Sequence, residues 1–226
     1  MSSPAGRRRL VLAIAVLGVA ILVPLVLVAI PPSGWSPVPS DPVAAESRGE
    51  ALERFLSAEF SKVRTDDAPW AIRLREDDVN AWIATRLPKW EANAGNPPPP
   101  ASEVRFRDGA LHLRVVADSD AFSPVLEAML SPAVTAGPAG DRLEPRVRGV
   151  SAGRLPLPWF GPALLRALSL GAGGSVTLPG GMTLDSVGDA EGFSTAYALS
   201  DGRTLHLDAI AVEDGALVLE FRTRPR

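Results

Sequence analysis

Gly149-Val150-Ser151-Ala152-Gly153 has the G-x-S-x-G spacing of a nucleophile elbow, in which a sharp strand-to-helix turn lifts a serine hydroxyl above a sheet. Asp185 and His206 follow in the chain order Ser, Asp, His of the α/β-hydrolases. The elbow needs a helix directly after the serine, with its N-terminus beneath the oxyanion. Arg154-Leu155-Pro156-Leu157-Pro158 follows instead, and two prolines at that spacing preclude such a helix. The five residues read as a turn between strands. No catalytic residue is assigned, the protein is expected not to be an enzyme, and a serine hydrolase stays as a remote alternative.

The other candidate chemistries are thinner. His112 and His206 each sit between leucines on alternating strands, on the polar face beside Arg114 and Asp208. Without a clustered third ligand they read as solvated strand positions, and no metal is expected. Glu76, Asp77 and Asp78 occupy the first turn of a helix, where negative charge complements the helix dipole. Gly171-Ala172-Gly173-Gly174-Ser175 lacks the lysine of a phosphate loop and the third glycine of a dinucleotide fingerprint, so it reads as a flexible joint and no cofactor is expected. Trp82, Trp90, Trp159 and Phe160, with Trp70, supply enough aromatic surface for an apolar ligand groove or for core packing.

The elements that would position these residues fall in a clear order. Leu52, Phe55, Leu56, Phe60 and Val63 recur at helical spacing and predict an amphipathic helix over 46–63. A second helix starts near Glu76, lines one face with Val79, Trp82, Ile83 and Leu87, and ends at Pro88. Asn96 to Pro100, with four consecutive prolines, is a loop. Val104–Arg107, then Asp108-Gly109, then Ala110–Val115 is alternation, tight turn, alternation, and Asp-Gly supplies the positive φ angles of a type I′ hairpin. The pattern recurs around Asp214-Gly215. Val125–Val134 and Arg142–Val150 are further strands, and Gly161-Pro162 opens a short helix through Leu168. Helices first and strands later, joined by short connections, predict an α+β fold with a largely antiparallel sheet and two or three packed helices.

Ahead of this domain lies an address. Arg7-Arg8-Arg9 precede an uncharged apolar run from Leu10 to Ile30 that is long enough, as a helix, to cross a bilayer. Cations on the N-terminal flank and none from Pro31 to Ala45 place the N-terminus in the cytoplasm and the rest outside. The expected organisation is a cytoplasmic tail over 1–9, a single-pass transmembrane anchor over 10–30 as the membrane partner, a Pro-rich spacer over 31–45 that contributes little packing, and an extracytoplasmic domain over 46–226. A cleaved signal peptide is the rival reading of the run. The chain has 226 residues, net charge −3 and no Cys, so disulfides and thiol chemistry are excluded. Setting aside the arginine triplet leaves the remainder at −6, a poor balance for nucleic acid or for an electrostatic grip on anionic lipid.

Two strings carry a resemblance. Ile72-Arg73-Leu74-Arg75-Glu76-Asp77-Asp78-Val79-Asn80-Ala81-Trp82 is similar to a short strand, an acidic helix start and a hydrophobic-Asn pair, and Gly153-Arg154-Leu155-Pro156-Leu157-Pro158 to a G-x-L-P-L-P turn. In that order, behind one membrane helix, the chain resembles the YpmS-like family of bacterial envelope proteins and, more distantly, the LmeA-like phospholipid-binding domains. Arg75 departs from the Ser or Thr with which such helices often begin. The resemblance carries no catalytic residues. It implies a membrane-tethered α+β domain with a curved sheet holding a lipid-like molecule, and a structural hydrogen-bonding role for Asn80. The expected function is non-enzymatic binding of a lipid or other apolar ligand in the cell envelope, with Trp82, Trp90, Trp159 and Phe160 as the candidate groove. An envelope protein–protein interaction or scaffold module is the alternative.

Overall fold

The structure, a computed structural model, describes residues 22–64, 67–117, 123–136, 140–157, 177–178, 182–183, 193–199 and 201–224. Of the apolar run only the end is described: residues 22–29 are helical. No helix among the described residues is long and apolar enough to cross a membrane, and residues 1–21 lie outside them. The expected short helix after Gly161 and the glycine-rich joint also lie outside the described residues.

Helix α1 (Pro42–Ser61) begins four residues before the predicted start. The Asp41 carboxylate accepts a hydrogen bond from the Ala44 N–H, and Pro42 stands in the first turn, where no N–H is needed. Its packed face also differs from the predicted stripe. Ala45 and Gly49 are its buried residues. There α1 crosses α2 (Glu76–Thr85) so closely that a Cβ on Gly49 would stand 2.7 Å from Thr85 Oγ1 and 2.9 Å from Arg86 Cγ. Leu56 and Phe60 extend that face into the core, while Phe55 and Val63 are 42% and 75% exposed. After α2, Arg86 alone separates it from α3 (Leu87–Asn93), and Pro88 sits in the first turn of α3. The proline expected to stop one helix therefore starts the next.

The strands are β1 (Trp70–Arg75), β2 (Ser102–Arg107), β3 (Ala110–Val116), β4 (Val125–Thr135), β5 (Arg142–Ala152), β6 (Leu155–Pro156), β7 (Thr177–Leu178), β8 (Met182–Thr183), β9 (Phe193–Ser194), β10 (Ala196–Ala198), β11 (Thr204–Glu213) and β12 (Ala216–Arg224). The fold is α+β and its pairings are antiparallel, but the strands are divided between sheets rather than gathered in one. The first sheet has the order β1-β12-β11-β10 and the second β2-β3-β4-β5-β6, with β9 added to β5, while β7 and β8 pair apart. Ile72, Leu205, Leu207 and Phe221 form the buried core of the first sheet, against which Leu56 and Phe60 of α1 and Val134 and Leu143 of the second sheet pack. Phe60, Trp70 and Phe221 meet there with ring centroids 5.0 to 6.1 Å apart.

The Asp108-Gly109 turn has φ of 53° and 66°, the two left-handed residues of a type I′ turn, as its sequence requires. In the second Asp-Gly turn only Gly215 is left-handed, with φ 76°. That turn is instead tied to its surroundings. Gly215 donates to Phe106 O at 2.9 Å and accepts from Glu76 N at 2.9 Å, while Asp214 accepts from the Asp108 N–H at 3.2 Å.

Helix α2 is fastened to the edge of β2 by two side chains. Asn80 Nδ2 donates to Val104 O at 2.8 Å, and Asn80 Oδ1 accepts from Val104 N at 2.8 Å. One turn earlier, Glu76 Oε2 accepts from Phe106 N at 2.7 Å, with Glu76 Oε1 on Arg105 at 2.9 Å. Four residues of helix rise about 6 Å and two residues of strand about 6.7 Å, so an i, i+4 pair can serve an i, i+2 pair of edge groups. Glu76 thus does a more specific job than the dipole complementation expected of it.

Candidate functional site

Direct pairing in an antiparallel sheet puts partners on one face. The two-residue turn at Asp108-Gly109 sets Arg107 opposite Ala110 and therefore Glu103 opposite Arg114 and Arg105 opposite His112. Arg114 in turn faces Glu127 on β4, and Glu127 faces Ser151 on β5. Four strands thus contribute one transverse row: Glu103, Arg114, Glu127, Ser151. Arg114 joins it together, donating to Glu103 Oε1 at 2.9 Å and through Nε to Glu127 Oε2 at 3.2 Å, while His112 Nδ1 meets Glu127 Oε1 at 2.6 Å. Glu103 is 1% exposed, a carboxylate that must be matched to be buried.

The match is completed by the stretch read from sequence as a spacer. Ser36 donates its N–H to Glu103 Oε2 at 3.0 Å. Arg114 donates to Ser33 O at 3.1 Å and Arg105 to Gly34 O at 2.6 Å. Pro32 is buried beneath this contact. The neighbouring carboxylates of Glu103 and Glu76 hold the Arg105 guanidinium above its ordinary value, overcoming the opposing effect of burial. Backbone groups of residues 33–36 therefore lie on the polar sheet face as partners of its charges. The expectation that this stretch packs little does not hold.

One step earlier in the chain, the carbonyls that end helix 22–29 meet the Gly153-Arg154 turn between β5 and β6. Arg154 donates its N–H to Leu27 O at 2.8 Å and its Nε to Pro31 O at 3.2 Å. A Cβ on Gly153, whose φ is +56°, would stand 2.4 to 2.7 Å from the carbonyl oxygens of Val28, Leu27 and Ile30. The last carbonyls of a helix have no partner of their own. Here the Arg154 N–H caps Leu27 O from more than 120 residues away, the missing side chain of Gly153 leaves room for the approach, and the positive guanidinium complements the negative end of the helix.

Between residues 32–33 and the sheet lies an open depression of about 460 Å³, lined by Pro32, Ser33, Arg114, Glu127, Ser151 and Arg154 among others. Its lining mixes apolar surface with side chains of both signs of charge.

Of the four residues expected to make an apolar groove, the two described, Trp82 and Trp90, lie away from this depression. Trp82 and Trp90 meet edge to face with centroids 5.8 Å apart, on α2 and α3. Trp82 is tied to α1 by donating Nε1 to Glu53 Oε1 at 3.0 Å, and Trp90 is 55% exposed. Arg86 adds two hydrogen bonds to Glu53, of 2.8 and 3.0 Å. These and the Trp82 bond hold the Glu53 carboxyl below its usual value, against the opposing effect of burial. Trp159 and Phe160 lie outside the described residues.

Ser151 lies within β5, opposite Glu127 and Pro156, and the chain passes through the Gly153-Arg154 turn into β6. His206 is on β11 of the other sheet, opposite Ala196 and Arg222. Asp185 lies outside the described residues. The elbow geometry is not formed. His112, read as a solvated position, is largely buried and paired with Glu127 instead. Among the described residues no three His, Cys, Asp or Glu side chains cluster as metal ligands would.

The charged row was missed although its signal was present. Once the Asp-Gly turn fixes the hairpin register, Glu103 and Arg114 are obliged to face each other. What could not be read from the hairpin is that their third partner is the backbone of residues 33–36. Comparison of the chain with protein-family models, curated proteins and solved structures found no match.

Proposed function

We propose that this chain is a single-pass membrane protein, anchored through Leu10 to Ile30 with its N-terminus in the cytoplasm. Its α+β domain lies on the outer side of the cytoplasmic membrane, where it binds a lipid or other apolar ligand without catalysing a reaction. One observation carries the reading: the end of the apolar run is built into the domain, with the carbonyls of Leu27, Val28 and Ile30 against Gly153-Arg154. Leu22, Val23, Leu25 and Val26 of the described helix are exposed, as residues that face lipid must be. A leader that is cut away has no need of a cap on its last turn. The resemblance to YpmS-like envelope proteins and to phospholipid-binding domains agrees with this placement.

The lack of Cys makes the test clean. A single cysteine at the exposed Val63 should react with a membrane-impermeant maleimide in intact cells, and the protein should stay with the membrane pellet after carbonate washing. Protection of that cysteine until the cells are lysed would overturn the topology. A scaffold module is the second reading, favoured by the exposed Trp90 on α3. It predicts a stable protein partner lost in Trp90→Ala.

A further inference from the structure

We propose that the depression beside the capped helix end seats the headgroup of a zwitterionic phospholipid, one that carries a phosphate and a primary ammonium, from the outer leaflet of the chain's own membrane. The inference rests on the single-pass, lipid-binding reading above and names its ligand and its site.

Depth is the first argument. The apolar run ends at Ile30, and the rim of the depression is made by Pro32 and Ser33. An extended chain advances about 3 Å per residue, so Ser33 stands no more than about 10 Å beyond the hydrocarbon. The interfacial layer is about 5–8 Å deep on each side of the hydrocarbon core, so the depression opens at headgroup level.

Charge is the second. Arg154 and Arg114 lie on the same lining as Glu127. Arg154 commits its Nε to Pro31 O, and its two Nη groups have no partner among the described residues. From there they would make charge-assisted hydrogen bonds to phosphate oxygens. Glu127 places a carboxylate on the same wall; Arg114 and His112 each take one of its oxygens, and the acceptor capacity that remains would receive an ammonium N–H. Ser33 and Ser151 add hydroxyls that donate or accept.

The third is selection against the other lipid class. Apart from its N-terminal arginines the chain carries −6, so a purely anionic headgroup gains nothing from the domain's overall field. The depression is open, which suits a ligand whose acyl chains stay in the bilayer and whose headgroup alone is read.

The test is native mass spectrometry of the full chain in mild detergent, offered equimolar phosphatidylethanolamine, phosphatidylcholine and phosphatidylglycerol. One phosphatidylethanolamine should be retained per chain, about tenfold over phosphatidylglycerol, and in preference to phosphatidylcholine, whose quaternary ammonium has no N–H to donate. Ser151→Leu fills the depression without removing a bond that holds residues 31–36, and Ser33→Leu does so from the exposed rim. Each should cut retention at least about fivefold while helical content and resistance of residues 31–41 to proteinase K stay as in the parent. Should Ser151→Leu fail to fold, the rim variant decides. Equal retention of phosphatidylglycerol overturns the proposal. So does undiminished phosphatidylethanolamine on a folded variant, although lipid binding elsewhere on the domain would then stand. If the parent chain retains no lipid, the site and the lipid-binding reading fall together and the scaffold remains.

Discussion

Asn80→Ala should be among the most destabilising substitutions of a partly exposed polar residue in this chain. The carboxamide satisfies both backbone groups of Val104, each at 2.8 Å, and Val104 is itself buried. Alanine reaches neither group, and water has little access to them. Each buried backbone group left without a partner costs about 1–3 kcal/mol. Alanine recovers about 0.6 kcal/mol of helix propensity, which leaves a net loss of about 1.4–5.4 kcal/mol. Against a total stability of about 5–15 kcal/mol that is a large fraction, and it corresponds to a melting temperature lower by roughly 5–15 °C. The assay is denaturant unfolding followed by tryptophan fluorescence, with hydrogen exchange at the Val104 amide as the local reporter. Asn80→Asp supplies a second signature. At neutral pH its carboxylate accepts from the Val104 N–H but confronts the Val104 carbonyl. Once protonated it can donate to that carbonyl, so its deficit should shrink as the pH falls from 7 to about 4. A loss below about 1 kcal/mol in Asn80→Ala, with the Val104 amide still protected, would refute the edge-clasp argument.

Four further outcomes are expected. A fragment starting at Ser40, which keeps the Asp41 cap and the whole of α1, should melt well below one starting at Pro31, because it leaves Glu103 without Ser36 and deprives Arg105 and Arg114 of the Gly34 and Ser33 carbonyls; equal melting temperatures would mean that the clamp contributes nothing. Gly153→Val, at a φ of +56° and against three carbonyl oxygens, should cost at least about 1–3 kcal/mol in backbone strain alone and open residues 31–41 to proteinase K. The Glu53 carboxyl is held below its usual 4.5, so its pairing with Arg86 adds stability above that pH and loses it as the pH falls through the lowered value; the gap between Glu53→Gln and the parent should be full at pH 7 and close in acid, which a series of urea melts would read. A serine-directed activity probe should not label the domain, and stoichiometric labelling lost in both Ser151→Ala and His206→Ala would restore the hydrolase.

How much of this was legible depended on the range of the interaction. The hairpin at Asp108-Gly109 is local, and composition, alternation and turn chemistry agree on it. Strands β4 and β5 matched their predicted spans within two residues for the same reason. Helix α1 was found and Leu56 and Phe60 face the core as its pattern implies, but its closest contact is made by Ala45 and Gly49, which a pattern of large apolar residues cannot see. Pro88 was misread because a proline that cannot continue one helix is equally suited to open another. Asn80 was assigned a structural role on resemblance, yet its partner, the edge of β2, is a tertiary fact. The clamp on residues 33–36 was least visible of all: its acceptors are backbone carbonyls, which every sequence has.

The order in which this molecule is made differs from the order in which it is assembled. Among the described residues β1 pairs with β12 alone, and Trp70 donates to Thr223 across 153 residues. β12 lies between β1 and β11, so the first sheet acquires its middle strand after almost everything else has been synthesised. On the single-pass reading proposed above, the chain would leave a translocon N-terminus first, with its anchor in place early. The strand after α1 must then wait, with Trp70 and Ile72 uncovered, for nearly the whole domain to emerge. Such long-range closure folds slowly, and the waiting intermediate exposes an unpaired strand edge. Loss of β12 would split the first sheet and part β1 from β11. A frameshift or proteolytic nick near the C-terminus should therefore be as damaging as one in the core.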